Sequence, residues 1–383
     1  MSREGSVDFL VIGAGIAGAS IAAALVRHGS VLVLEAEDQP GYHTTRRSAS
    51  MHFECHGQPA MRAMIRCSRQ FLESPPDWMD TESFLSALGV LLIARADQVS
   101  ALEDFARTMF DDSAQILRGG ETLARERHAG LRGGYVAECL WHPHAAEIDV
   151  HALLRTYLRA ARRRGAELRN SERVVALART GAHWSVRTNR SRYHAAVLIN
   201  AAGAWANEIG RLAGAPPINL IPRRRSVCLV PAGEATVAGW PMVGDVEQQF
   251  YFKPEGENLL LSPSEETPVA PGDAHADELA IARAVAGLEA STDVRVTTKI
   301  TRQWAGLRSF VTDRLPVVGY DTRAEGFFWL AGQGGDGIQT APAISRLAAA
   351  LILGEDLPGD LARSGLTRDT LSPQRPAIAR ISN

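Results

Sequence analysis

The chain has 383 residues, of which 45% are hydrophobic and 22% charged, and its formal net charge at pH 7 is −2. This length and apolar content suffice for a large core divided between two or three domains. The nearly balanced charge argues against a nucleic-acid partner, and no apolar stretch reaches the ~20 residues of a membrane-spanning helix. We therefore expect no nucleic-acid binding and no integral membrane segment.

The N-terminal residues lack a basic segment followed by an apolar one, so they do not resemble a secretion signal. The four cysteines lie far apart and form no Cys-x-x-Cys pair, which argues against a zinc finger. A chain of this size does not require disulfide bonds. The sequence therefore predicts an unprocessed cytoplasmic protein.

The first predicted strand ends in a glycine-rich turn, where residues 11–18 read VIGAGIAG. Gly13 permits the tight turn, Gly15 lets the backbone approach a pyrophosphate, and Gly18 allows the following helix to pack closely on the strand. A second apolar strand leads into Glu35, which is placed to accept hydrogen bonds from ribose hydroxyls. This unit predicts dinucleotide binding and by itself leaves both FAD and NAD open.

Two later parts of the chain carry the strand and helix patterns of the same kind of domain. The earlier part comprises a helix near Ile148 and strands at 174–177, 184–187 and 195–200. The later part comprises a strand at 326–331, a glycine turn at 332–337 and a helix at 338–353. A second helix N-terminus is therefore expected to face the nucleotide.

We predict an α/β protein with a discontinuous, Rossmann-like nucleotide-binding domain formed by residues 1–51, 146–214 and 313–383. Residues 52–145 and 215–312 are predicted to form an α+β substrate-binding domain with a mixed or antiparallel sheet. Alternating polar and apolar residues at 249–253 and 294–299 indicate strands there. The tail after Pro358 is predicted to be a surface strap or partly disordered.

Eight ordered blocks extend over nearly the whole chain. They are GYH (41–43) with RSA (47–49), NAAGAW (200–205), RRS (224–226), FY (250–251), WAGLRSF (304–310), and QGG (333–335) with GIQT (337–340). With these blocks the chain resembles the D-amino-acid oxidase superfamily of FAD enzymes, and most closely its bacterial D-arginine dehydrogenase branch. The resemblance implies a Rossmann-like FAD-binding domain with the C-terminal glycine turn at the flavin. It also implies non-covalent FAD, because the segment 307–311 lacks the cysteine that tethers flavin in the sarcosine oxidase branch.

The glycine motifs and the resemblance together assign a set of candidate FAD contacts. These are Gly13, Gly15, Ile16, Ala17, Gly18, Glu35, Ala36, Thr45, Arg47, Ser48, Ala49, Val174, Val175, Ala202, Gly203, Trp205, Arg308, Gly334, Gly335, Asp336, Gly337, Ile338, Gln339 and Thr340.

The resemblance also implies that Arg225 and Arg308 hold a substrate carboxylate, with Tyr251 hydrogen-bonding beside it. A guanidinium group presents a planar fork of donors suited to a carboxylate. Gly335 matches a position that meets the substrate amino group, and Gln339 matches one that meets the flavin. Two alternatives stay open: Arg225 as a solvated surface cation in the run 223–225, and Gln339 as a polar residue on a helix face.

Four positions depart from the D-arginine enzymes. Met51 replaces a histidine, Phe53 a threonine, His56 a tyrosine on the active-site lid, and Val90 the glutamate that receives the cationic side chain. An unpaired cation in a pocket costs several kcal/mol, on the order of the penalty for a broken buried ion pair, so arginine and lysine are not expected as substrates. The candidate side-chain pocket is Met51, His52, Phe53, Val90 and Gly335.

The run 52–56 (HFECH) concentrates residue types that bind metals. Two histidines and one carboxylate make an incomplete structural zinc site, and a flavin enzyme needs no metal, so none is expected. Instead, His56 is predicted to face the substrate and His52 to face solvent or the core. If a base is required, His56 is the nearby group whose ordinary pKa suits neutral pH.

These observations predict an FAD-dependent dehydrogenase or oxidase acting on a D-amino acid or related secondary amino acid with an uncharged, apolar side chain. Hydride transfer to flavin N5 would give an imino acid and then a 2-oxo acid. The electron acceptor is expected to be oxygen or a quinone. Alternatives are oxidation of a 2-hydroxy acid through the same carboxylate anchors, and a flavoprotein that has lost this chemistry and serves as a binding partner.

Overall fold

The computed structural model describes residues 4–109, 115–232, 237–296, 300 and 302–379. The strands are β1 (Glu4–Ile12), β2 (Val31–Leu34), β3 (Met51–His52), β4 (Leu85–Ala87), β5 (Val90–Ala94), β6 (Leu117–Gly119), β7 (Glu138–His142), β8 (Ala146–Ile148), β9 (Glu167–Arg169), β10 (Val174–Thr180), β11 (His183–Thr188), β12 (Arg192–Asn200), β13 (Ile221–Pro231), β14 (Met242–Asp245), β15 (Tyr251–Glu255), β16 (Asn258–Ser262), β17 (Thr267–Pro268), β18 (Arg302–Phe310), β19 (Val317–Tyr320) and β20 (Phe327–Ala331). The α-helices are α1 (Ile16–Leu25), α2 (Pro59–Glu73), α3 (Val99–Met109), α4 (Glu121–Arg127), α5 (Val150–Arg163), α6 (Ala206–Leu212), α7 (Glu278–Ser291), α8 (Gly337–Leu353), α9 (Gly359–Arg363) and α10 (Pro376–Ala379).

A parallel sheet forms the centre of the nucleotide-binding part. Strands β20, β12, β1, β2 and β9 lie side by side in parallel, and antiparallel strands β10, β11 and β19 extend this sheet. The register places Asn200 opposite both Ile12 and Trp329, so these strands end together at one edge. Ligands of open α/β sheets bind outside this carboxyl edge.

Helices cover this sheet because its strands are apolar on both faces. All four residues of β2 and all five of β20 are buried. Helix α1 buries eight of its ten residues and packs against α5 and α8. Its small residues, mostly alanine, allow this close approach.

The second sheet has nine strands in the order β17-β13-β16-β15-β14-β5-β7-β6, with β18 on the other edge of β13. Its pairs are antiparallel except β14 with β5. Helix α7 packs on β13 and β16 over a separate apolar core. A three-stranded sheet, β3-β8-β4, joins the two parts. The predicted α/β class with a mixed second sheet is confirmed.

The sequence and the structure differ in two places. Helix α2 falls in the range predicted for the substrate domain, yet its apolar face packs on α8 in the core of the nucleotide-binding part. Residues 294–296 form no strand, and 297–299 lie outside the described residues. Of the two alternatives predicted for the tail, the structure shows the strap as far as residue 379, since Leu361, Leu371 and Ile378 are buried.

Helix α8, with 17 residues, is the longest described helix. Within the described ranges, none combines the length and apolarity needed to cross a bilayer.

Candidate active site

The glycine turn after β1 is shaped by two backbone contacts that exclude side chains. Gly13 has φ +103°, and a β-carbon there would lie 2.5 Å from the carbonyl oxygen of Ala201. A β-carbon on Gly18 would lie 1.8 Å from the carbonyl oxygen of Gly13. The turn therefore brings the N-terminus of α1 directly over the end of β1.

The N-terminus of α1 is open toward a cleft. Gly15 caps the helix without a side chain, and the Ile16 N–H donates to Thr45 Oγ1 at 3.1 Å. Glu35, at the end of β2, accepts from the Ala14 N–H at 2.8 Å through Oε2 and from the Glu37 N–H at 3.0 Å through Oε1. Each carboxylate oxygen keeps a second lone pair for a ribose hydroxyl. Burial raises the pKa of Glu35 despite these bonds.

Three adjoining cavities run along the cleft from this turn to the second sheet. The nucleotide cavity contains Gly13, Gly15, Glu35, Ala36, Thr45, Val174, Ala202, Gly203 and Trp205. The central cavity contains Gly15, Ile16, Ala17, Thr45, Arg47, Ser48, Ala49, Gly203, Arg225, Tyr251, Arg308, Gln333, Gly334, Gly335, Gly337 and Ile338. The distal cavity contains Ser48, Ala49, Met51, Phe53, His56, Val90, Arg225, Tyr251, Arg308, Gly335, Asp336, Ile338 and Gln339. Shared residues join each cavity to the next.

The cradle fits an FAD molecule on grounds of geometry and polarity. Two helix N-termini, those of α1 and α8, border the central cavity, and helix N-termini favour phosphate groups. Nε2 of Gln333 is buried there and has no hydrogen-bond partner in the described part of the chain. Arg47 is fixed beside the cavity by Asp273, 2.6 Å from Nη2, and by the carbonyl oxygen of Ala305, 3.0 Å from Nη1.

Two arginines meet where the central and distal cavities join. In the register of β13 and β18, Arg225 lies opposite Gly306 and Arg308 lies two residues further along. Residues two apart on a strand share a face, so Arg225 and Arg308 are diagonal neighbours on one face. Gly306 contributes no side chain between them.

Arg225 is only 5% exposed, so the alternative of a solvated surface cation is wrong. Its Nη2 donates to Glu266 Oε1 at 3.2 Å, whereas its Nε has no partner among the described residues. Burial, together with the nearby charge of Arg308, lowers the pKa of Arg225 to about 10. The side chain remains a cation at neutral pH, with donor capacity to spare.

Arg308 and Tyr251 complete the group of donors. Within the described ranges, Arg308 forms no ion pair and no hydrogen bond through its side chain. The Tyr251 hydroxyl is buried and likewise lacks a described partner. Three donors without full partners therefore converge at one point, which suits an incoming anion.

A polar network closes the other side of the distal cavity. His56 Nδ1 lies 2.9 Å from Asp336 Oδ1, and Gln339 Nε2 donates to the same oxygen at 2.8 Å. The Phe53 N–H donates to Gln339 Oε1 at 2.9 Å. Gln339 thus does more than occupy a helix face, because it links the loop after β3 to the turn before α8.

The remaining wall of the distal cavity is mostly apolar. Its apolar side chains include Met51, Phe53, Val90, Leu92, Phe105, Met242, Val246 and Phe250. One buried carboxylate, Asp245, also faces this cavity, but it accepts hydrogen bonds from Gln98 Nε2 at 2.9 Å and from two backbone N–H groups. Its Oδ2 also lies 3.5 Å from Arg95 Nη1, so its charge already has a partner.

Four predicted contacts, His52, Val175, Thr340 and Gly18, lie outside the three cavities, and Gly18 packs against the carbonyl oxygen of Gly13 instead. His52 is fully buried with Nε2 3.3 Å from the Ile65 carbonyl oxygen, because neighbouring strand residues alternate between faces. For the same reason Val174 faces the nucleotide cavity while Val175, at a register shift, is 37% exposed. The Thr340 hydroxyl donates to the Asp336 carbonyl oxygen.

The predicted metal-ligand types in 52–56 do not converge. His52 points into the core and His56 points at Asp336. No group of three or more His, Cys, Asp or Glu among the described residues could hold a metal ion.

Sequence reasoning missed Gln333 and Glu266. Gln333 lies inside a block that matches the family and could have been found there. Glu266 carried no local signal, since only the pairing of distant strands brings it to Arg225.

The parallel sheet, the glycine cradle and the adjoining cleft define an FAD-dependent oxidoreductase. The FAD dependent oxidoreductase (DAO) family matches residues 8–351, and the chain belongs to that family. The family predicted from the sequence is confirmed.

Two relatives illustrate the range of similarity. Hydrogen cyanide synthase subunit HcnC of Pseudomonas aeruginosa is 30% identical over 235 residues, which cover 61% of this chain and 55% of that subunit. The match therefore spans about half the length of HcnC. The uncharacterized oxidoreductase YurR of Bacillus subtilis is 24% identical over 376 residues, covering 92% of this chain and 97% of YurR.

Solved structures share the fold. Glycine oxidase from Geobacillus kaustophilus has a TM-score of 0.81 and 21% identity, covering 95% of this chain and 99% of that one. Iminodiacetate oxidase from Chelativorans sp. has a TM-score of 0.80 and 21% identity, covering 95% and 98%. At this identity the likeness concerns the fold alone.

Proposed function

We propose that this protein uses non-covalently bound FAD to oxidise a D-amino acid, or a related secondary amino acid, with an uncharged and mainly apolar side chain. The observation that carries the proposal is the convergence of Arg225, Arg308 and Tyr251 where the central and distal cavities join. Two guanidinium groups and a hydroxyl suit a carboxylate, and their partial burial strengthens the pairing.

The chain's own residues bind and orient the substrate. Arg225 and Arg308 hold the carboxylate, and Tyr251 donates a hydrogen bond beside it. The turn residues before α8, including Gln333 and Gly334, hold the flavin together with α1 and Arg47. When bound, FAD supplies the two-electron oxidation by accepting a hydride from the substrate α-carbon. The imino acid then hydrolyses in water to a 2-oxo acid and ammonia.

The side-chain preference rests on the distal wall. Met51, Phe53 and Val90 offer no charge, and the two carboxylates that face this cavity, Asp245 and Asp336, already have partners. A cationic side chain would lose its hydration there without gaining a counter-ion. The protein is therefore proposed as a relative of the D-arginine dehydrogenase branch with an altered side-chain pocket.

Anaerobic stopped-flow reduction of the flavin tests this function. The panel contains D- and L-amino acids, N-methyl amino acids and 2-hydroxy acids. We expect uncharged D-amino acids or N-methyl amino acids to reduce the flavin fastest. Fastest reduction by D-arginine or D-lysine, or no reduction by any amine, would contradict the proposal.

Acid precipitation tests the attachment of the flavin. We expect all of the flavin in the supernatant, since non-covalent binding is proposed. Reoxidation with oxygen and with a soluble quinone then compares the two proposed electron acceptors.

Oxidation of a 2-hydroxy acid is a second candidate. It needs a base for the hydroxyl proton, and the His56–Asp336 pair is a suitable group at the distal cavity. Faster reduction by a hydroxy acid than by the matching D-amino acid would favour it.

A further inference from the structure

The pairing of His56 with Asp336 joins two loops that are far apart in sequence. His56 lies on the loop after β3, and Asp336 lies in the turn before α8, where only 6% of its surface is exposed. The Gln339 amide holds the same oxygen of Asp336 from the other side. The carboxylate is thus fixed from both sides, whereas the His56 side chain remains 46% exposed.

This geometry sets the proton positions on the imidazole ring. Because Nδ1 faces a carboxylate oxygen at 2.9 Å, it carries a hydrogen and donates it. Nε2 is then the nitrogen left to accept a proton. Among the described residues, Nε2 has no hydrogen-bond partner, and His56 borders the distal cavity.

Three charged groups act on His56. Asp336 favours its protonated form, while Arg308 and Arg225 oppose it. The carboxylate has the largest effect, so the pKa of His56 is raised above its ordinary value. Burial disfavours ionisation of Asp336, but His56 and the Gln339 hydrogen bond outweigh it and hold the pKa of Asp336 below its usual range.

We propose that His56 Nε2 removes a proton from the ammonium group of the substrate and that Asp336 is the positioning residue that orients His56 for this step. The inference rests on the proposed amino acid oxidation. An N–H bond of the ammonium group breaks, its electron pair stays on nitrogen, and the proton forms a bond to Nε2. The neutral amine then supplies the lone pair that forms the C=N bond as the α-hydrogen leaves with its electron pair to the flavin.

The arrangement of charges supports this assignment. A zwitterionic amino acid held by its carboxylate on Arg225 and Arg308 lies in the same cavity as His56. An ammonium ion beside two arginines is disfavoured as a cation, so transfer of its proton is favoured. The proton comes to rest on an imidazolium stabilised by the carboxylate of Asp336.

The first test observes His56 directly and needs no substrate. In holoenzyme with isotope-labelled histidine, the His56 resonance is assigned by its loss in His56→Gln and titrated by NMR. We expect its pKa to lie above the ordinary value in the wild type and to fall in Asp336→Asn. Asp360→Asn, which removes the carboxylate of the Arg346–Asp360 ion pair instead, is the control and should leave the His56 titration unchanged. An unchanged His56 titration in Asp336→Asn would contradict the pairing.

The second test measures flavin reduction against pH, with D-phenylalanine or the fastest amino acid of the panel. The limiting reduction rate of the wild type should rise as His56 loses its proton. In Asp336→Asn this rise should move to lower pH, and in His56→Gln the rate at high pH should fall about 100-fold. Benzoate, which lacks an amino group, should still bind to both variants, because Arg225 and Arg308 are unchanged.

These outcomes separate the two proposals. If no amino acid reduces the flavin, the proposed function fails and the proton transfer fails with it, whatever the titration shows. If amino acids reduce the flavin but both variants keep the wild-type rate and pH profile, only the role of His56 and Asp336 is refuted.

Discussion

The guanidinium group of Arg308 lies directly against the backbone of Gly335. A β-carbon added at Gly335 would come within 3.0 Å of Nη1 and 3.1 Å of Cζ of Arg308. The glycine turn before α8 therefore shapes the position of a residue on β18 as well as the cleft for the cofactor.

Gly335→Ala should weaken binding of carboxylates several-fold, because Arg308 must shift by a few tenths of an ångström. The dissociation constant of benzoate, measured from the change in flavin absorbance, reports the effect. Gly5→Ala is the matched control, since the nearest atom to its β-carbon would be 3.9 Å away. If Gly335→Ala and Gly5→Ala bind benzoate equally well, Arg308 accommodates the added β-carbon without weaker binding of the carboxylate, and the prediction is wrong.

Arg308→Met should raise the dissociation constant of benzoate by at least tenfold, about 1.4 kcal/mol, because a charge-assisted hydrogen bond is lost. Arg302→Met makes the same change on the same strand at an exposed position and should bind benzoate normally. An unchanged dissociation constant for Arg308→Met would remove Arg308 as the carboxylate anchor.

Glu266→Gln should tighten benzoate binding a few-fold. Glu266 pairs with both Arg225 and Arg314, so its charge competes with a carboxylate ligand for Arg225. Isothermal titration of the holoenzyme measures the change. Glu138→Gln, which breaks an ion pair with Arg118 elsewhere in the sheet, is the control. Weaker benzoate binding in Glu266→Gln would mean that Glu266 holds Arg225 in position for the carboxylate rather than competing with it.

Val90→Glu should increase reduction by D-arginine and D-lysine relative to uncharged amino acids. Val90 is 1% exposed and faces the distal cavity, so a carboxylate there can pair with a cationic side chain. Val90→Gln has the same length without the charge and controls for lost packing. If Val90→Glu and Val90→Gln show the same preference among cationic and uncharged amino acids, the side chain of the substrate does not lie beside residue 90.

His128→Phe should reduce the acid sensitivity of the fold. His128 is buried, neither ring nitrogen has a partner in another described residue, and burial lowers its pKa to about 4. The unfolded chain binds its proton near pH 6.5, so stability is lost as pH falls from 6.5 toward 4, by up to about 3 kcal/mol.

The unfolding midpoint of holoenzyme between pH 7 and 4.5 measures this effect. The midpoint of His128→Phe should fall less than that of the wild type. His183→Phe, a change at an exposed histidine, is the control. Its unfolding midpoint should fall with pH as steeply as that of the wild type. If the unfolding midpoint falls equally steeply with pH in all three proteins, His128 does not contribute to the acid sensitivity of the fold.

Much of the fold could be read from local patterns. The helix predicted at 338–353 is observed at Gly337–Leu353, and the strand predicted at 326–331 is observed at Phe327–Ala331. Both follow from continuous apolar runs interrupted by a glycine turn. The packing of α2 could not be read in this way, because an amphipathic helix shows that it has an apolar face without showing which core that face joins.

The sequence alone determined the glycine cradle, because Gly13, Gly15 and Gly18 lie within one turn between β1 and α1 and their spacing is visible in the local sequence. It also determined the family, through motifs that keep their order along the chain. Only the tertiary structure decided which charges meet. The resemblance already implied a joint role for Arg225 and Arg308, but only the fold showed that Arg225 is buried beside Arg308. Likewise, only the fold paired His56 with Asp336 across two loops and turned His52 toward the core. The physical reason is that side chains along a strand alternate between its two faces, which the sequence shows. Which of the two faces borders the cavity depends on how distant segments pack, and the sequence does not show that.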